Sequence, residues 1–323
     1  MTRIRNVDLL LTFKCTSECR HCAYRGGPTR TEMMDSERAK QWLQELADLG
    51  YLETLTVHGG EPFINFRLLR EVVAYARILE LAQIGVITNG FWAKDTDEAD
   101  KKLGLLKKEG LTQITFSLDA FHQEFISLEK VRNGVISASS MGFDNVWVDS
   151  YFIGGIETEN PHNNATREAI DYLGDIDDVE FSPYVVDLEG RAVDFLTEQV
   201  ELKEVLPSGR CVPPFWIPGG LQNPATIEID SEGNVTLCPG LCIGNATEST
   251  LTDIVTEYDY RNHPIISRIE ESGPASLIEL ARHHGLAQIE KYLNECHVCY
   301  EMRRFLQPFY PEFLAPLGCY QGK

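Results

Sequence analysis

The sequence predicts an α/β protein: a parallel sheet curled as a full or partial barrel, followed by a smaller α+β unit with a β-hairpin. Three observations predict it. Short apolar, β-rich runs alternate with amphipathic helical stretches through about the first 200 residues. The unusual glycine, cysteine and polar positions fall just after these strands. From about residue 205 the texture changes to loops, a hairpin and most of the remaining cysteines. A chain of 323 residues has room for two domains, expected at 1–204 and 205–323.

The elements follow in order. "VDLLLTFKC" (7–15) reads as a buried strand. "DSERAKQWLQELADLG" reads as a helix capped by Asp35 or Ser36, with Ala39, Trp42, Leu43, Leu46 and Ala47 forming its apolar stripe and Gly50 ending it. Strands at 52–60, 84–90, 111–120, 145–153 and 179–186 are separated by helices at 64–81, 96–109, 128–141 and 165–174. Such βα units wound in sequence imply a parallel sheet with helices outside, and a site at the carboxyl ends of the strands. Cys15 follows the first strand, Gly59 to Pro62 the second, and Thr88-Asn89-Gly90 the third; Ser117 and Asp119 end the fourth. Beyond 205, "SGRCVPPFWIPGG" is loop-like. "ATIEIDSEGNVTLC" is a hairpin, with Ile227 and Ile229 facing Val235 and Leu237 across a Ser-Glu-Gly-Asn turn. Residues 263–285 read as a helical linker, with His283 and His284 at the surface or supporting other residues.

Composition excludes several classes. With 29 Lys and Arg against 49 Asp and Glu, the net charge is −20, which repels phosphate backbones and argues against nucleic acid. Residues 1–30 run the other way: Arg3, Arg5, Lys14, Arg20, Arg25 and Arg30 face only Asp8 and Glu18. That excess is either simple solvation or a basic patch. A patch would offset an anionic cluster or dock an acidic electron donor such as a flavodoxin or ferredoxin. No signal peptide and no apolar run of about 18 residues occur, so a cytoplasmic protein without membrane contact is expected. Nine cysteines in such a chain point to metal or redox chemistry rather than disulfides.

Cys15, Cys19 and Cys22 stand at C-x3-C-x2-C. Three thiolates are one too few for a closed zinc site, and an odd number cannot pair off as disulfides. Two readings are open: a zinc knuckle that borrows His21 or a distant cysteine, or an iron–sulfur cluster with one iron left free.

With Gly59, Gly60, Glu61 and Pro62 after the second strand, the chain resembles the radical SAM superfamily over about residues 7–192. The resemblance implies a partial (β/α)6 barrel and a 4Fe–4S cluster on the three cysteines. S-adenosylmethionine would chelate the free iron and be cleaved by one electron to a 5′-deoxyadenosyl radical, which abstracts a substrate hydrogen. It further implies that Gly59 and Gly60 let backbone approach the methionyl amine. Thr88 and Asn89 would line the cofactor pocket, and Ser117 and Asp119 would bond ribose or substrate, unless they are only strand-end turns.

The C-terminal part resembles the twitch/SPASM extension of the same superfamily: Cys211, then a hairpin from Gly233 to Cys238, then Cys296 and Cys299. Those four thiolates would cage one auxiliary 4Fe–4S cluster. Zinc on the same four is the alternative, and Cys319 is a substitute for any one of them. Cys242 is either a buried spectator or, as in radical SAM peptide epimerases, a hydrogen donor to a substrate radical. The expected function is hydrogen abstraction from a peptide or small molecule, giving oxidation, epimerisation or cross-linking. No leader-binding domain is expected ahead of residue 15. A non-enzymatic iron–sulfur carrier or zinc-stabilised binding module is the competing class, but it needs neither the Gly-Gly-Glu-Pro stretch nor an open iron.

Overall fold

Alternation along each strand decides which face meets the helices and which meets the centre. The computed structural model describes residues 2–212, 218–288 and 290–321, so residues 213–217 of the loop expected at 208–220 lie outside it. Six strands run in chain order: β1 (Asn6–Leu10), β2 (Thr54–His58), β3 (Gln83–Thr88), β4 (Gln113–Ser117), β5 (Asn145–Phe152) and β6 (Glu180–Val185). Between or after them come α1 (Ser36–Asp48), α2 (Phe66–Ile78), α3 (Thr96–Glu109), α4 (Ala120–Gln123), α5 (Leu128–Met141), α6 (Pro161–Asp171) and α7 (Arg191–Leu196).

Val7, Leu9, Leu55, Val57, Ile114, Phe116 and Val148 face outward and are fully buried under the helices. Burial of one such side chain contributes about 1.5–3 kcal/mol. The α1 stripe of Ala39, Trp42, Leu43 and Leu46 is buried as its spacing requires, and Asp35 is the cap. Helix α6 starts four residues earlier than expected, because Asn160 caps it and Pro161 stands in its first turn.

The second half completes the sheet. Strand β7 (Thr226–Ile229) lies parallel to β1, with Asn6 opposite Thr226 and Leu9 opposite Ile229. It turns into β8 (Asn234–Cys238), the expected hairpin, and β9 (Leu241–Asn245) adds a strand the periodicity did not indicate. The nine strands run β6-β5-β4-β3-β2-β1-β7-β8-β9, so the sheet is open, with β6 and β9 at its edges. Helices α8 (Leu251–Thr256), α9 (Ile266–Ser272), α10 (Leu277–His283) and α11 (Glu295–Leu306) follow. One hydrophobic core extends from Ile4 to Tyr320, running through the boundary expected near 205. No helix among the described residues is long and apolar enough to cross a membrane.

Candidate functional site

The inner face of the sheet is polar. Asp8 of β1, Thr56 and His58 of β2, Thr115 and Ser117 of β4, Asp149 and Tyr151 of β5, and Glu228 of β7 all line one cavity of about 960 Å³. A sheet that surrounds a single space from β1 to β7 is curled around it. Period-two alternation in "TLTVH" and "NVWVDSY" carries this signal, which the apolar positions alone had masked.

The cysteine loop closes one end. Cys15, Cys19 and Cys22 line the cavity, and the loop's neck is pinned by backbone bonds: Cys15 N–H to Gly27 O at 3.1 Å and Gly27 N–H to Phe13 O at 3.1 Å. Arg191 of α7, itself buried, donates to Cys19 O at 2.8 Å and Gly26 O at 2.6 Å. Gly60 N–H bonds Thr12 O at 2.6 Å and Glu61 N–H bonds Lys14 O at 2.9 Å. A Cβ on Gly60 would lie 2.1 Å from Lys14 O, and one on Gly59 would lie 2.5 Å from Thr12 O. The two glycines therefore serve first the close approach of the cysteine loop's own backbone.

Glu61 is buried beneath this junction and Pro62 begins the short helical turn after it. Its carboxylate accepts from Asn89 N–H at 2.7 Å, Phe63 N–H at 3.0 Å and Thr88 Oγ1 at 2.9 Å. Burial pushes its carboxyl up to about 7. Asn89 in turn reaches Thr16 Oγ1 at 3.1 Å and Cys15 Sγ at 3.6 Å. Thr88, Asn89 and Ser117 line the cavity.

Asp119 does not face it. Its carboxylate caps α4 through the N–H groups of Phe121 and His122, holds His122 Nδ1 at 2.9 Å, and accepts from Tyr151 N–H. Burial opposes its ionisation, but His122 and His21 hold its carboxyl below the usual range. Through Asp119 it is His122 that reaches the cavity, a residue the sequence reading passed over.

Cys211, Cys238, Cys296 and Cys299 line the same cavity. Positions 296, 299 and 303 are spaced to share one face of α11. Zinc–sulfur bonds of about 2.3 Å would draw thiolates to within about 4 Å of each other. Among the described residues, the only His, Cys, Asp or Glu ligand atoms gathered as a trio within 4.8 Å are those of His21, Asp119 and His122. Neither cysteine set is gathered within that distance, and soft thiolates on one cavity wall are a donor set that fits an iron–sulfur cluster as well as zinc. Burial pushes the thiols of Cys15, Cys238, Cys296 and Cys299 up, and that of Cys211 up to about 12. A metal is what would deprotonate them.

Three features that the sequence leaves open are placed by the structure. Cys242 is 1% exposed and lies outside the cavity lining; its thiol bonds Gly244 O at 3.1 Å. That placement matches the buried-spectator alternative, with the thiol turned into packing rather than lining the cavity. Cys319 is also buried away from the lining. The basic excess near the cysteine loop is largely neutralised in place, by Arg5–Glu53, Arg20–Glu124, Arg25–Asp194 and Arg30–Glu32. It offers little free charge for docking an acidic partner.

Asp149 stands opposite Ser117 on β4 and Ser182 on β6, and burial, with the Asp119 carboxylate adding, pushes its carboxyl up to about 7. An acid with a raised native pKa costs the fold nothing below pH 4; the cost accumulates as pH rises from about 4 to about 7 and stays constant above it. Asp149→Asn is therefore expected to melt a few degrees above wild type at pH 8 and at the same temperature near pH 4. Differential scanning calorimetry at the two values checks it.

Residues 9–168 match the family model of the Radical SAM superfamily. YydG of Bacillus subtilis (strain 168), named as a peptide biosynthesis protein, is 26% identical over 129 residues, and the match spans 40% of each chain. A GTP 3′,8-cyclase of Peptoclostridium acidaminophilum is 25% identical over 269 residues, covering 73% of this chain and 80% of that one. Streptococcus suis SuiB, solved with the precursor peptide SuiA, superposes with a TM-score of 0.59 at 12% identity over 99% of this chain and 77% of its own. SuiB has also been solved with S-adenosylmethionine. At such identity the likeness to SuiB is one of fold.

Proposed function

Because the chain carries a radical SAM domain, we propose that it is an enzyme that abstracts a hydrogen atom from a substrate held in the central cavity. One observation carries the proposal: two cysteine sets, far apart in sequence, line the same cavity. Cys15, Cys19 and Cys22 would hold a 4Fe–4S cluster with an open iron, and Cys211, Cys238, Cys296 and Cys299 a second, complete one. S-adenosylmethionine, held at the open iron, would supply the radical chemistry for hydrogen abstraction.

The chain's own residues do the positioning. Glu61, through Thr88 and Asn89, fixes the strand end that reaches the Cys15 segment. The Gly59–Gly60 junction holds the loop neck against β2. Glu228 organises the opposite wall: Tyr24 donates to it, Thr236 Oγ1 lies at 3.1 Å and His58 Nε2 at 3.4 Å. Burial pushes the nearby Asp8 carboxyl up to about 6.

A peptide substrate is the favoured reading, supported by YydG's name and by the precursor peptide in SuiB. The cyclase relative supports a small molecule instead. Oxidation, epimerisation and cross-linking all begin with the same abstraction.

Anaerobic reconstitution with iron and sulfide tests the proposal. About eight irons per chain are expected, falling to about four in the Cys15/Cys19/Cys22→Ala variant. With dithionite and S-adenosylmethionine, 5′-deoxyadenosine should form from wild type alone. Zinc content without cofactor cleavage would leave a metal-stapled binding protein.

A further inference from the structure

Arg303 is 1% exposed, and its guanidinium has no ion-pair partner among the described residues, although its neighbour Arg304 pairs with both Asp194 and Glu301. One terminal nitrogen donates to Pro239 O at 2.8 Å and to Tyr320 Oη at 3.1 Å. Its Nε is buried with no partner at all. A buried cation without a directly paired counter-charge is costly unless something anionic meets it. The candidates are beside it. Cys299 precedes it by one turn of α11, Cys238 is bonded in sequence to Pro239, and both lie close enough to act on its charge, as do Tyr320 and, from beyond ion-pair distance, the Glu189 carboxylate.

We propose that Arg303 is the positioning residue of the second cluster: the cluster's negative charge is its counter-ion, and the guanidinium raises the cluster's reduction potential. The inference rests on the reading that Cys211, Cys238, Cys296 and Cys299 hold a 4Fe–4S cluster. Four thiolates on such a core make an anion, and charge with hydrogen bonds to sulfur sets its potential. Reduction adds one electron from an external donor, breaks no bond and moves no proton. The added negative charge beside a fixed cation favours the reduced state. A cluster so placed is tuned to accept an electron from the cavity, which favours oxidation among the outcomes open to the enzyme.

The test uses the full chain in the Cys15/Cys19/Cys22→Ala background, so that only the second cluster is present. Iron is counted, and the midpoint is followed by electron paramagnetic resonance during dithionite titration. Arg303→Met and Arg303→Gln are expected to keep about four irons. Their midpoints should fall by at least about 59 mV, a tenfold change in a one-electron equilibrium. Arg303→Lys should stay closer to the parent than either. An unchanged midpoint in a fully loaded Arg303→Met or Arg303→Gln protein overturns the inference and leaves the cluster standing. If neither neutral variant loads iron, Arg303→Lys decides: iron retained supports the charge role, and iron lost assigns Arg303 to packing. A parent background that binds no iron sinks the second cluster and the inference together.

Discussion

Gly60→Ala is expected to empty the first cluster site while leaving the fold intact. The new methyl group would meet Lys14 O at 2.1 Å and Lys14 C at 2.5 Å. Those are backbone atoms, which cannot rotate away as a side chain would. The strand end must move, taking with it the Gly60–Thr12 and Glu61–Lys14 hydrogen bonds that seat Cys15. Displacements near 1 Å at a positioned group cost about 100-fold in rate, so 5′-deoxyadenosine formation should fall at least that far. Iron should drop from about eight to about four per chain. Gly50→Ala is the control: nothing lies within 4 Å of its added Cβ, only the positive φ of 78° opposes it, and iron loading should be normal. A Gly60→Ala protein with full iron and wild-type turnover would refute the account of this junction.

Arg25→Met is expected to give the largest loss of stability. The side chain is nearly buried and binds four places at once: Asp194 at 2.6 Å, Gly190 O at 2.7 Å, Cys319 O at 3.3 Å and Tyr300 Oη at 3.3 Å. It thereby ties the cysteine loop to α7 and to the last turn of the chain. Its backbone sits in the left-handed region at φ 52°, a conformation an arginine adopts at a cost and keeps only when other bonds hold it. Removing one partner of a buried ion pair costs about 3–5 kcal/mol. Asp194 is partly exposed and can rehydrate, which places the loss near the lower end. Urea denaturation of the apoprotein, read as a shift in midpoint at constant slope, measures it directly.

Local pattern explains what the sequence reveals of this fold. Apolar spacing locates the six strands and the major helices, because each element buries its face nearly where it stands. Turn residues locate the cysteine loop and the 225–238 hairpin for the same reason. Where the reading fell short, the cause was contact at a distance. Nothing near Asp119 distinguishes a carboxylate aimed at a ligand from one capping the next turn, and the cap is what forms. Cys242 stands four residues from Cys238 but on a different strand, and its thiol turns into packing. Arg25 lies in a basic stretch that looks solvated, and Arg303 in a helix whose next residue is a surface arginine. A cation carries no local mark of burial. The polar inner face was legible in the strands themselves, at Asp8, Thr56, Ser117 and Asp149, once alternate positions are read as a set.

The pairing of β7 with β1 has a consequence for how the chain is made. Asn6 and Thr226, 220 residues apart, are bonded side chain to side chain across that seam. Until the later strand emerges, one flank of β1 presents open amide and carbonyl groups to any passing chain. The topology is therefore of high contact order, which slows closure and lengthens the interval of vulnerability during synthesis. Closure of that seam is the step that brings the strand carrying Cys238 to the cavity already lined by Cys15, Cys19 and Cys22.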